Sequence, residues 1–363
     1  MLSPPVEPRR IAVARPDSKP RERGAGTSGG RRPRVWVLTC AALILLAGIL
    51  ISAAHVDGES GQDLLSLLGS AGRAFLSLRW QYACVVLALA ASHYVATAVA
   101  ARSAAGIPLP LAETLFVQLA AAAANRLTPA GIGASAVTVR YFTRRGLRLP
   151  AALGAVAALS VLGAVADLIV LSILVFGGRW LGLSGGSQEI ALLATHVAHL
   201  VAPLGSRWLW SAAIAVAFGL AVIWVRSRRA GHACHWRQFW TPIGCLMRRP
   251  SSLATLLVAS GATTLILGIA FVASTGMVPG ARPHASLGAL LIGFMIGAAA
   301  GSAVPVPAGL GSTETALIAI LIEVRVPASH AVEEVLIFRT LTFWLPAVAG
   351  VLATRRLNRR RAL

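Results

Sequence analysis

Five ionisable residues stand where their side chains could do chemistry in apolar surroundings: Glu113, Arg126, Asp167, Glu314 and Arg339. Charge is costly at membrane depth, so such residues mark ligand sites or else pair with one another. Two of them flank a pattern that occurs twice. Thr128-Pro129-Ala130-Gly131-Ile132-Gly133-Ala134-Ser135 and Val306-Pro307-Ala308-Gly309-Leu310-Gly311-Ser312-Thr313 agree at four of eight positions. Arg126 precedes the first copy and Glu314 follows the second. Proline lacks an N–H and glycine weakens a helix, so each copy breaks one. A helix that restarts inside the membrane offers free N–H groups and its positive dipole end to an anion such as a lipid phosphate. That is the chemistry expected of Pro129, Gly131, Gly133, Pro307, Gly309, Gly311 and Ser312. The plain alternative is that the small residues only let helices pack closely. Arg126–Asp167 and Glu314–Arg339 are the natural ion pairs, one on each side. Trp344, inside the last apolar run, joins the candidate substrate site. Glu113 is expected to reach an interface, and His93 to be a hydrogen-bonded structural residue.

Other chemistry is not signalled. His232, Cys234, His235 and Cys245 suit zinc by type but not by spacing, so no metal is expected. Four cysteines set no disulfide framework. Phosphate-binding loop, nucleophile-elbow and metalloprotease signatures are absent, so neither a cofactor nor enzymatic activity is expected.

The elements that carry these residues are read from the apolar runs. Of 363 residues, 56% are hydrophobic and 13% charged, with a mean hydropathy of +0.73. A soluble chain carries about 25% charged residues, so an ordinary soluble enzyme is excluded. A membrane helix needs about 20 mostly apolar residues. Six runs qualify: 35–54, 80–101, 151–176, 208–225, 252–275 and 331–352. Two more, 111–127 and 285–304, each run into one of the breaks and read as re-entrant hairpins. The stretch 190–203 is apolar but short, and is placed as an interfacial or re-entrant helix on the outside. The run 35–54 is longer than a cleaved leader's core and reads as a signal anchor.

The formal net charge of +20 could suggest nucleic acid, but its placement argues otherwise. Nine basic residues lie in a disordered arm (1–34), four in 140–148, six in 226–249 and five in 355–361. With Arg102, all of these fall on one side if both termini are cytoplasmic. The remaining loops carry seven acids, among them Glu323, Glu333 and Glu334, which are counted as outer loop residues. The first hairpin then has both ends inside and the second both ends outside. The two breaks are 178 residues apart, and that offset carries 80–176 onto 258–354. Two units, 80–176 and 252–352, thus form an inverted repeat within a membrane domain over 35–354, followed by a basic tail (355–363). Broken segments in matching positions of two halves point to a transporter's binding site. The fold class expected is an all-α polytopic bundle with about six full spans and two re-entrant broken hairpins.

Pro305-Val306-Pro307-Ala308-Gly309-Leu310-Gly311-Ser312-Thr313-Glu314, followed by Phe338-Arg339-Thr340-Leu341-Thr342-Phe343-Trp344-Leu345-Pro346, resembles the C-terminal signature of the lysylphosphatidylglycerol synthetase transmembrane, or flippase-like, family. Asn125-Arg126-Leu127-Thr128-Pro129 with Gly131 and Gly133 resembles its N-terminal signature. Ala134 and Ser135 stand where the family usually has Glu, and the Arg usual a few residues before the mid-span Asp is missing ahead of Asp167. The resemblance implies a helical bundle that moves an anionic lipid or polyprenyl-phosphate-linked lipid between leaflets of a bacterial inner membrane. Aminoacyl transfer belongs to a separate soluble domain, which this sequence is not expected to contain. The competing expectation is a non-transporting membrane subunit that scaffolds an envelope-biosynthesis enzyme.

Overall fold

Four helices among the described residues are long and apolar enough to cross a membrane. A computed structural model describes residues 79–126, 128, 132–177, 233–279, 283–303 and 310–359, which are helical with no strand among them. The expected segments 1–34, 35–54, 190–203 and 208–225 lie outside these residues, as do Pro129, Gly131, Pro307 and Gly309.

In chain order the helices are α1 (Trp80–Ala105), α2 (Leu111–Asn125), α3 (Ile132–Arg144), α4 (Leu149–Gly177) and α5 (Ala233–Met247). Then come α6 (Pro250–Ser274), α7 (Leu287–Ala303), α8 (Ser312–Glu323), α9 (Ala328–Arg339) and α10 (Leu345–Arg359). A five-residue π-turn, Thr340–Trp344, joins α9 to α10 without interrupting the rod. At 1.5 Å per residue, α1, α4, α6 and the α9–α10 rod each exceed the ~30 Å apolar core of a bilayer. The shorter α2, α3, α7 and α8 have 15, 13, 17 and 12 residues, and none reaches across. The order long helix, short pair, long helix therefore occurs twice.

The ends of the helices follow from local chemistry. Gly106, in the left-handed region at φ 66°, stops α1, and Pro110 opens α2 by accepting both the N–H and the hydroxyl of Thr114. The α3 and α8 helices stop in the same way. Leu147 N–H reaches the Phe142 carbonyl and Gly146 N–H reaches Thr143. Likewise Val326 N–H reaches Leu321 and Arg325 N–H reaches Ile322. Both are the six-to-one plus five-to-two closure that needs one residue at positive φ. Gly146 supplies it at 100°, whereas Arg325 holds 68°.

Two apolar cores sit at opposite ends of α1. Ala83 and Val86 near its start belong with Phe271, Met277, Phe294, Leu317, Leu321, Val335 and Phe338. Ala101 and Ala105 near its end belong with Val117, Tyr141, Phe142, Ala152 and Leu357. The ends of α2 and α3 meet at the second core, where Arg145 Nε donates to Glu113 Oε1 at 3.0 Å. The ends of α7 and α8 meet at the first core, where His284 N–H donates to the Val324 carbonyl at 2.9 Å. Close crossings use glycine: Gly301 abuts Thr313, Gly350 abuts the Leu119 carbonyl, and Gly154 abuts the Phe239 carbonyl. The outward side of α4 is apolar, with Val161, Leu168 and Phe176 exposed, as suits a lipid-facing helix.

One expectation is corrected here. Glu334, counted as an outer loop residue, is fully buried on α9, in line with Ala331, Val335 and Phe338. Its Oε1 accepts from Ser274 Oγ at 3.1 Å, at the end of α6.

Candidate functional site

The end of α2 reaches the π-turn, and the first turn of α8 reaches the residue just before it. Arg126 is the C-cap of α2. Its Nη1 donates to the Ala122 carbonyl and its Nη2 to the Phe343 carbonyl in the π-turn. Its guanidinium carbon lies 4.1 Å from the centroid of the Phe343 ring. The guanidinium carbon of Arg339 lies 4.1 Å from the same centroid. Two cations from different halves of the sequence thus share one aromatic ring. Cation–π attraction is stronger away from water, which suits this depth. Tyr94, midway along α1, lies beside Arg126.

Among the described residues, Glu314 is the only carboxylate that pairs with either arginine. Its Oε1 accepts from Arg339 Nε at 2.6 Å, and its Oε2 accepts from Gly311 N–H at 2.8 Å. Both side chains are nearly buried, at 13% and 9% exposure. Gly311 stands at φ 83°, a conformation that side chains resist. Two guanidinium groups against one carboxylate leave a net positive charge. Among the described residues, Arg126 Nε and Arg339 Nη2 are buried without a hydrogen-bond partner, as is Asn125 Oδ1.

The backbone around the Phe343 carbonyl departs from regular α-helical winding. Pro346 has no N–H to give, and Leu345 N–H reaches back five residues to Thr340. The usual four-residue ladder is thereby shifted, a device common at functional sites.

Several expected site residues are placed differently. Asp167 does not pair with Arg126: its Oδ1 accepts from Thr264 Oγ1 at 2.5 Å, so it ties α4 to α6. The N–H groups of Gly133 and Gly311 do not face an open cavity. Thr128 Oγ1 accepts from Gly133 at 2.8 Å, and Glu314 accepts from Gly311, so each restart carries its own cap. Ser312 Oγ donates to the Gly301 carbonyl at 2.8 Å and closes the α7–α8 pair. Trp344 stacks edge-on against Phe343, with centroids 5.2 Å apart. His93 contacts the Thr263 carbonyl at 3.2 Å, a structural tie between α1 and α6. Phe343 and Tyr94 were not anticipated. Pro346 inside an apolar helix signals a break in the ladder at this level, but by its missing N–H it marks the Thr342 carbonyl rather than Phe343. Among the described residues no cluster of three metal-binding side chains occurs.

Residues 38–350 match the family described as the lysylphosphatidylglycerol synthase TM region. Comparison with curated proteins finds no match.

Proposed function

The chain belongs to the lysylphosphatidylglycerol synthase transmembrane family, and from that premise we propose that it binds an anionic lipid or lipid-linked head group and moves it between leaflets. The two units, 80–176 and 252–352, act as oppositely oriented halves. Their short helices enter from opposite membrane faces, in keeping with the two cores at opposite ends of α1. The membrane is a bacterial inner membrane, with the basic ends of α3 and α10 on the cytoplasmic side. The observation that carries the reading is the shared ring. Arg126 and Arg339 meet on Phe343, and among the described residues one carboxylate answers two cations and a nitrogen on each arginine is unpartnered. A phosphate completes such a centre, since arginine is the preferred partner for that geometry. Asp167 stands apart and serves the α4–α6 contact.

The test is lipid movement in liposomes holding the full chain, together with mass spectrometry of the lipid that co-purifies. Arg126→Gln is expected to abolish both lipid movement and lipid retention while the protein still purifies as a stable species. Arg126→Lys keeps the charge and is expected to retain part of each. Unchanged movement and retention in Arg126→Gln sinks the reading. Recovery of a stoichiometric envelope enzyme, with no lipid movement by the intact chain, assigns the non-transporting subunit role instead.

A further inference from the structure

A second basic centre lies away from the shared ring, at the C-terminal end of α10. A shallow, open hollow of about 480 Å³ is lined there by Leu352, Arg355, Arg356 and Arg359. These positions are spaced by three, one and three residues, which places them on one helix face. The opposite face carries Pro346, Gly350, Ala353 and Leu357, which are buried. Arg356 is held by α2, with its guanidinium carbon 4.8 Å from the centroid of Phe116. An aromatic ring steadies the cation without neutralising it. No carboxylate stands among the described lining residues.

Above the arginines the same side of the helix stays apolar and uncovered. Leu345, Val348 and Leu352 are 50%, 53% and 58% exposed. They follow one another by three and four residues, and so form a stripe about 10 Å long. Arginines at a helix C-terminus can simply complement the dipole. That role does not explain an apolar stripe that runs straight into the arginine-lined hollow.

We propose that this face holds one anionic phospholipid of the adjoining leaflet. Its phosphate sits on Arg355, Arg356 and Arg359, and an acyl chain lies along Leu352, Val348 and Leu345. Charge complementarity selects the phosphate, and the stripe selects a lipid over a free anion. Planar guanidinium groups grip phosphate oxygens in pairs. The site stands whether or not the chain transports.

The experiment is native mass spectrometry of the full chain in mild detergent, with added phosphatidylglycerol or phosphatidylcholine as the probe. Phosphatidylglycerol should bind and phosphatidylcholine should bind weakly. Arg355→Gln with Arg359→Gln should lower the affinity for the first phosphatidylglycerol about tenfold. Arg248→Gln with Arg249→Gln removes equal charge at the start of α6 and should leave that affinity unchanged. Inorganic phosphate at matching concentration should not displace the lipid. Equal loss from both double variants, equal binding of the two lipids, or displacement by phosphate overturns the proposal. Should the first double variant fail to fold, Leu352→Glu in the intact arginine background carries the test. It sets a carboxylate in the stripe and should also lower the affinity about tenfold; no change overturns the site.

Discussion

The Glu314–Arg339 pair is the residue-scale test of the centre. Removing one member of a buried pair leaves the other charge uncompensated, at a cost of about 3–5 kcal/mol. Glu314→Gln strips Arg339 of its counter-charge and weakens the cap on Gly311, so it should be the more damaging of the two single changes. Arg339→Gln leaves that cap and loses only the pair and the ring contact. The double variant should cost less than the two single changes added together. A double-mutant cycle on thermal stability in detergent measures this, and strictly additive costs would show that the two side chains do not act as a pair. Glu334 gives a second residue-scale expectation. Ser274→Ala removes the partner of a fully buried carboxyl and should cost about 1–3 kcal/mol. Glu334→Gln keeps a group of the same shape and should cost less than Ser274→Ala in the same assay.

At the scale of elements, the α7–α8 pair depends on backbone approach. Gly301 lies against Thr313, and even a methyl group there meets backbone. Gly301→Ala should therefore destabilise by about 1–3 kcal/mol. Gly163, on α4, has open space around it, so Gly163→Ala should be neutral or better. Thermal denaturation of the two variants side by side checks this, and equal effects would remove the close-crossing argument. Both breaks were legible in the sequence because proline and glycine act locally, whatever surrounds them. The partner of Asp167 was not legible. The α4 helix is apolar on every side, so no stripe in its sequence says which face turns to α6. Glu334 was misread for a related reason. Two adjacent acids look like a solvated turn, yet Ala331, Val335 and Phe338 set a helical period in which only Glu334 faces inward.

For the whole molecule, orientation is the open quantity that labelling can read. Cysteine probes introduced at Ser60, Gly178 and Ala281 should react with a reagent added outside, and probes at Ser227 and Asn358 should not. Reaction at Ser227 from outside would break the parity on which two oppositely oriented halves rest. The same expectation was reached from arginine placement alone, and the folded chain adds a reason for it. Arg102, Arg145, Arg248 and Arg355 belong to helix ends that pack around one pair of neighbouring apolar clusters. Membership of the family was legible too, through the two signature segments. The centre itself was only half legible, since a ring shared by two cations requires residues 126 and 343 to meet, and no spacing rule joins positions so far apart.

The π-turn between α9 and α10 can also be viewed as a phase shifter. One residue of slack turns everything beyond it by about 100° relative to an unbroken α-helix. Upstream, the rod must aim Glu334 at Ser274; downstream, it must lay Gly350 on Leu119. A regular helix cannot satisfy both registrations. Deleting Thr340 would restore regular winding and force a choice between them. The protein should then lose either the grip of α9 on α6 or that of α10 on α2, and the thermal stability that depends on it. Inserting a single alanine within 340–344 should rotate the lower half the other way and do similar harm. A paired insertion and deletion across the turn should restore the phase.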